Sequence, residues 1–367
     1  MLECVINISE GRDLELIATV ASSAGAALLD VHSDPDHHRS VLTLAGPAAS
    51  VQEAARSVAA AAVARLDLRT HRGVHPRIGV LDVVPFVALR RPSRPTPAAR
   101  GLSAEWTGVR EGSYLVPGPL RDAVLARDRF AAWAGAVLGL PGFLYGPERS
   151  LPELRRSAWR DLRPDTGPDL PHPTAGAAAI GARPVLVAYN LWLTPGAPLD
   201  VARQVARQVR GPGVRALGLA VGGGGRVQVS VNLTDPWQIG PGRLHDSVAA
   251  ALDRAPLDRA PLDPVALDPA PLDRAPLDPV ALDRAPLDRV APEPPVGLRS
   301  RGRSGGGDDA RALRPGLVGI DRAELVGLLP AGVLAAEAPH RWPELGLDPG
   351  ATIEARLERA GLDGGSL

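Results

Sequence analysis

The sequence predicts an α+β protein built from two similar ferredoxin-like (βαββαβ) subdomains. Three observations predict it. Short apolar runs of strand length alternate with longer stretches of helical period in the order β-α-β-β-α-β. The same order recurs after residue 181. A chain of 367 residues is also long enough for a sizeable core and more than one domain.

Each element has a local reason. Residues 2–8 make a short apolar strand, and Asp13 is placed to cap a helix carrying Leu16, Ile17, Val20 and Ala24 on one face. A strand at 26–32, a polar loop and a strand at 40–45 follow. Ser50 and Glu53 have capping-box spacing at the start of a helix running to about 66. The decamer Thr70-His71-Arg72-Gly73-Val74-His75-Pro76-Arg77-Ile78-Gly79 then leads into a strand at 78–86. A Pro/Arg-rich loop near 91–117, a helix at 120–138 and a loop-rich connector to Gly181 separate the halves. The second half reads as a strand at 184–193, a helix at 199–209, and strands at 214–221 and 226–233 joined by a glycine hairpin turn at 222–225. A helix at 241–252 and a last strand beginning at 317–319 complete it.

Residues 253–314 interrupt this second unit. Leucine recurs there every five residues, a period of neither helix nor strand, and proline blocks both. The expectation is a disordered low-complexity insertion, leaving subdomains at 1–180 and at 181–252 plus 315–335, and a C-terminal tail at 336–367.

Composition narrows the function. Basic and acidic residues balance at 41 each, so no charge excess points to nucleic acid or a membrane surface. Every basic residue is arginine, which removes lysine as a base or Schiff-base former. Cys4 stands alone, excluding an internal disulfide or a thiolate metal cluster. No uncharged apolar run reaches the ~18 residues of a membrane span, and the first residues lack a signal-peptide pattern. A cytoplasmic protein is expected.

The topology makes a geometric prediction. In a split β-α-β sheet the first two strands run the same way and the third runs back. The loops Ile8-Ser9-Glu10-Gly11, Ser33-Asp34-Pro35-Asp36-His37-His38-Arg39 and the decamer should therefore emerge at one end. Two chemistries are open there. His71 and His75, with His37, His38, Asp34 and Asp36, could ligate a metal, although Gly73 and Pro76 disfavour the helix that such a pair needs. Alternatively an imidazole works as acid and base beside a bound anion. Arg39, Arg72 and Arg77 would hold carboxylates, and Ser9 with the Gly11 backbone would add donors at a helix N-terminus. The second reading describes a small carboxylate-bearing substrate in a proton-dependent group transfer.

These residues carry a resemblance. Glu3-Cys4-Val5-Ile6-Asn7-Ile8-Ser9-Glu10-Gly11, the stretch from Leu28-Leu29-Asp30-Val31 through His38-Arg39-Ser40-Val41, and His71 to Gly79 with Leu81-Asp82-Val83 resemble the glutamate formimidoyltransferase (formiminotransferase) family. So do Leu144-Tyr145-Gly146, Gly181-Ala182-Arg183, Ala188-Tyr189-Asn190, Val229-Ser230-Val231-Asn232-Leu233 and Glu324-Leu325-Val326-Gly327-Leu328-Leu329-Pro330.

The resemblance implies the formiminotransferase fold, a homodimer, and transfer of a formimino group from N-formimidoyl-glutamate to N5 of tetrahydrofolate in histidine breakdown. It makes His75 the catalytic acid/base and His71 a supporting residue. It assigns folate contacts to Gly167, Pro168, Asp169, Leu170, Pro171, His172, Pro173, Thr174, Ala175 and Gly176. Asn7, Ser9, Glu10, Asp34, His38, Arg39 and Arg77 are then the candidate substrate contacts, with tetrahydrofolate as co-substrate and no metal expected. Attack of N5 on the amidine carbon gives a tetrahedral adduct, in which one imidazole can take the N5 proton and return one to the glutamate nitrogen. The same scaffold could use another formimidoyl donor, or bind folate without catalysis.

The chain departs from the family in three places. His32 stands where many members carry aspartate, and the aromatic of some relatives is missing around Thr174-Ala175. The chain is also expected to lack the cyclodeaminase domain that some relatives carry fused, which would leave the product to a separate enzyme.

Overall fold

In this computed structural model the described residues are 1–72, 77–91, 114–221, 225–254 and 318–362. His75, Gly73, Val74, Pro76, nearly all of the Pro/Arg-rich loop, residues 222–224 of the glycine turn, Leu317 and the Leu-Asp repeats lie outside them.

The first half forms β1 (Leu2–Ile8), α1 (Leu14–Ser22), β2 (Leu28–Asp34), β3 (Arg39–Gly46), α2 (Ala48–Arg65) and β4 (Leu81–Arg90). Strand order β2-β3-β1-β4, all antiparallel, is the ferredoxin-like arrangement. Alternation along β1 turns Cys4, Ile6 and Ile8 into a core roofed by α1, α2 and α3 (Leu120–Leu138). Asn7 therefore points to the opposite face. Register places His32, Val41, Asn7 and Val83 in one row across four strands.

The connector between the halves holds more structure than the sequence predicted. After the short β5 (Val116–Pro117) come β6 (Gly142–Tyr145), α4 (Leu151–Ser157) and β7 (Ala178–Ala182). β7 and β6 extend the first sheet as parallel strands beside β4. Their short runs of alanine, glycine and aromatics are buried without polar alternation, so period 2 does not reveal them. α4 is started by a capping box between Ser150 and Glu153, and its Leu154 packs with Val83, Phe143, Tyr145 and Ala179.

The second half repeats the plan with β8 (Val187–Leu193), α5 (Leu199–Val209), β9 (Val214–Val221), β10 (Arg226–Leu233), α6 (Pro241–Asp253) and β11 (Ile320–Val326). Its order, β11-β8-β10-β9, matches that of the first sheet. The α+β fold with two ferredoxin-like units is thus as predicted.

Several boundaries move for physical reasons. The Ser50–Glu53 box does not form: α2 begins at Ala48 with Pro47, in extended conformation, at the N-cap position three residues before Ser50. β2 spans 28–34 rather than 26–32, because a single 3₁₀ turn over Gly25–Ala27 precedes it. β4 begins at Leu81 rather than 78, since residues 78–80 bond to Ser9 and to 175–177 instead of to a strand. The tail folds, too. After α7 (Ala331–Leu334), Trp342, Leu345 and Leu347 join the second core. α8 (Ile353–Arg359) buries Ile353 and Leu357 against Leu29, Ala45, Val87 and Leu328. No helix among the described residues is long and apolar enough to cross a membrane.

Candidate active site

The three polar loops do converge. The first holds itself together through Glu10, whose Oε1 accepts the backbone N–H groups of Gly11, Arg12 and Asp13 at 2.9, 2.8 and 3.1 Å. Placing this carboxylate just ahead of α1 suits the positive end of the helix. Arg12 Nε donates to Pro35 O at 2.9 Å, and Ser40 Oγ donates to Glu10 O at 2.6 Å, tying the first loop to the second. Gly11 is required at this crossing, because a Cβ there would run into Asp34 O and Arg39 N.

The second loop is shorter than predicted, because β2 and β3 remain paired as far as Asp34 and Arg39. Asp34 Oδ1 accepts from the N–H groups of Asp36 and His37, and Oδ2 meets His37 Nδ1 at 2.6 Å. Burial works against ionisation of Asp34, but the hydrogen bonds from His37 outweigh it and hold the carboxyl down at about 2. His38 has φ +51°, a left-handed turn conformation. Its Nδ1 accepts the Gly11 N–H at 3.1 Å and lies 3.3 Å from Glu10 Oε1. Burial lowers its pKa; Glu10 opposes this, while Arg12 and Arg77 add to it.

The third loop meets the second through stacked imidazoles. The rings of His38 and His71 lie 4.1 Å apart, and His71 Nε2 is 3.0 Å from His38 O. Arg77 contacts the same His71 ring from the far end of the loop. The His71 ring is thus held between the His38 carbonyl and the Arg77 guanidinium. Arg72 turns back onto the carbonyls of Arg69 and His71.

The segment assigned to folate is brought to the same end. Val80 N–H donates to Ala175 O and Ala177 N–H to Ile78 O, both at 2.9 Å, while Leu68 N–H reaches Thr174 O at 2.8 Å. His172 Nδ1 accepts the Ala175 N–H at 3.1 Å and closes the turn. Residues 172–176 thus flank the decamer's exit. Residues 167–171 are exposed and leave toward α3, where a Cβ on Gly135 would strike Gly167.

Of the candidate residues, Glu10, His38 and Arg77 share one network with His71, while Ser9 bonds the backbone at Gly79 and Val80. Asn7 stands two residues before Ser9, in the row with His32. Arg39, at the edge of that network, feels Asp82, Arg155, Asp34 and Arg77, and burial lowers its pKa. Sequence reasoning missed Asp82 and Arg155 as site residues. Asp82 is fully buried and pairs with Arg155 at 2.6 Å. An acid inside the apolar run 80–87 was the available signal, since a buried carboxylate needs a cation. Among the described residues no three His, Cys, Asp or Glu side chains are grouped to hold a metal ion.

Imidazoles, guanidiniums and backbone donors gathered at one end of a ferredoxin-like sheet suit a group-transfer enzyme for small anions. Comparison with known proteins agrees. Residues 1–183 match the formiminotransferase domain, N-terminal subdomain. The chain is 32% identical over 259 residues to the glutamate formimidoyltransferase of Streptococcus pyogenes serotype M1, covering 64% of this chain and 78% of that protein. It is 34% identical over 248 residues to the enzyme of the same name from Thermoplasma acidophilum, covering 64% and 77%. With the formimidoyltransferase-cyclodeaminase of Sus scrofa it shares 33% identity over 263 residues, 64% of this chain but 44% of that protein. The chain therefore belongs to the formiminotransferase family, a family of transferases.

Proposed function

We propose that this chain is a glutamate formimidoyltransferase, moving the formimino group of N-formimidoyl-L-glutamate to N5 of tetrahydrofolate with His75 as acid and base. The carrying observation is the network His71–His38–Glu10, with Arg77 on His71, beside the 172–176 turn. A neutral imidazole is the form able to accept the N5 proton. Arg77 and Arg39 would hold the donor's carboxylates. Glu10 and Asp34 are engaged by backbone amides and histidines, which suits them to shape the loops.

A homodimer, a cytoplasmic location and a place in histidine breakdown belong to the same reading. The test is a discontinuous assay with formimidoyl-glutamate and tetrahydrofolate. Stoichiometric 5-formimino-tetrahydrofolate is expected. Transfer from formimidoylglycine but not formimidoyl-glutamate would move the assignment to another donor, and folate binding without transfer would make the chain a binding protein.

A further inference from the structure

We propose that Asp82 and Arg155 are a positioning pair for the transfer site, fixing the decamer's exit and the arginines beside it. This rests on the transferase reading above. The backbone from 78 to 80 is unusually committed. Ile78 N–H donates to Asp82 Oδ1 at 2.9 Å, and Ile78 O accepts from Ala177. Gly79 O accepts from Ser9 Oγ at 2.8 Å, while Val80 bonds Ser9 N–H through its carbonyl and Ala175 O through its N–H. These bonds stitch the first polar loop to the 172–176 turn, with the decamer's last residues between them. Asp82 is the charged member of the junction.

Asp82 Oδ2 accepts from Arg155 Nη2 at 2.6 Å across 73 residues of sequence. Arg155 comes from α4, whose start is set by its capping box and whose Leu154 is buried against β4, β6 and β7. The pair therefore nails the exit of the decamer to a rigid part of the fold. It also gathers charge. Arg39 and Arg77 both experience Asp82 as their main attractive neighbour and Arg155 as a repulsive one. Arg155 touches the buried carboxylate, and Arg39 and Arg77 lie within its electrostatic reach, so the cluster is net positive, which favours a doubly anionic donor. Asp34 also acts on Arg39, but its oxygens are taken by His37 and the loop backbone. Arg155 thus acts through Asp82, which acts on Ile78 and the two arginines.

The experiment uses Arg155→Gln, Arg155→Lys and Asp82→Asn in the full chain. Asparagine keeps an acceptor for Ile78 N–H while losing the charge. Each protein is read for kcat, for KM of formimidoyl-glutamate, for tetrahydrofolate affinity and for hydrogen exchange of peptides covering 77–83. Arg155→Gln should lower kcat about 10²-fold, the loss that a small misplacement can cause. Its folate affinity should stay within about twofold, and Arg155→Lys should recover about tenfold of the lost rate. Exchange at 77–83 should quicken about tenfold while peptides from β8 to β10 stay unchanged. Should Asp82→Asn fail to fold, the Arg155 variants alone decide. Wild-type kcat and wild-type exchange in Arg155→Gln would overturn the proposal, as would loss of rate with lysine no better than glutamine. If the wild type transfers nothing, exchange still reports the pair: quickened exchange keeps its positioning role while the transferase reading falls.

Discussion

His71 and Arg77 touch. The guanidinium of Arg77 lies on the imidazole of His71, six residues earlier in the chain, and so joins the two ends of the segment that contains His75. His71 is itself held by the carbonyl and ring of His38. The neck of the decamer is therefore anchored to the neighbouring hairpin before any substrate arrives.

His71→Ala should weaken catalysis without unfolding the protein. The ring makes its contacts at a half-buried site, so Tm should fall by only a few degrees. kcat should drop about 10-fold or more through misplacement of the loop. Steady-state kinetics beside calorimetry would show it. An unchanged kcat would mean that the neck is dispensable.

His75→Ala should remove about 10²–10⁴ of the rate, the usual contribution of a positioned acid–base group. Tetrahydrofolate affinity, read by equilibrium binding, should remain. Unchanged turnover would return the acid–base role to His71 or His38.

Gly11→Ala should be costly for a steric reason. The new methyl group would fall on Asp34 O and Arg39 N, both backbone atoms that cannot rotate away. Overpacking of this kind costs about 1–3 kcal/mol. Denaturant titration should show that loss, and kcat should fall with it because the first two polar loops separate.

Glu3 predicts a pH dependence of stability. Burial pushes its carboxyl from an ordinary 4.5 up to about 7, with Arg183 opposing and Glu354 adding to the rise. Between pH 4.5 and 7 the unfolded chain gives up this proton while the folded chain keeps it. Its contribution is therefore complete below pH 4.5 and is lost as pH rises through 7. Glu3→Gln should match the wild type in Tm at pH 4 and exceed it at pH 8, by on the order of 2–4 °C per kcal/mol regained. Calorimetry at the two pH values would settle it, and a Tm difference independent of pH would contradict the argument.

Much of this architecture was legible locally. Leu199–Val209, Val214–Val221 and Arg226–Leu233 are legible to the residue and Leu120–Leu138 closely, because each has a clear period with proline, glycine or a charge at one end or both. β6 and β7 are not, since short strands buried on both faces show no alternation. The box at Ser50–Glu53 was misleading and the one at Ser150–Glu153 went unread, although the two patterns are equivalent in sequence. What separates them is the chain's path: Pro47 had already started the first helix.

The sequence by itself determined the two βαββαβ units and, through strand direction alone, that the loops after Ile8, around His38 and before Ile78 share one end. Only the tertiary structure decided which groups meet there. Asp82 with Arg155, His38 with His71, and Ser9 with Gly79 are separated by 73, 33 and 70 residues. The physical reason is range. Periodicity and capping act within a few residues, whereas a buried carboxylate or imidazole takes its partner from whichever strand or helix the packed sheet sets beside it.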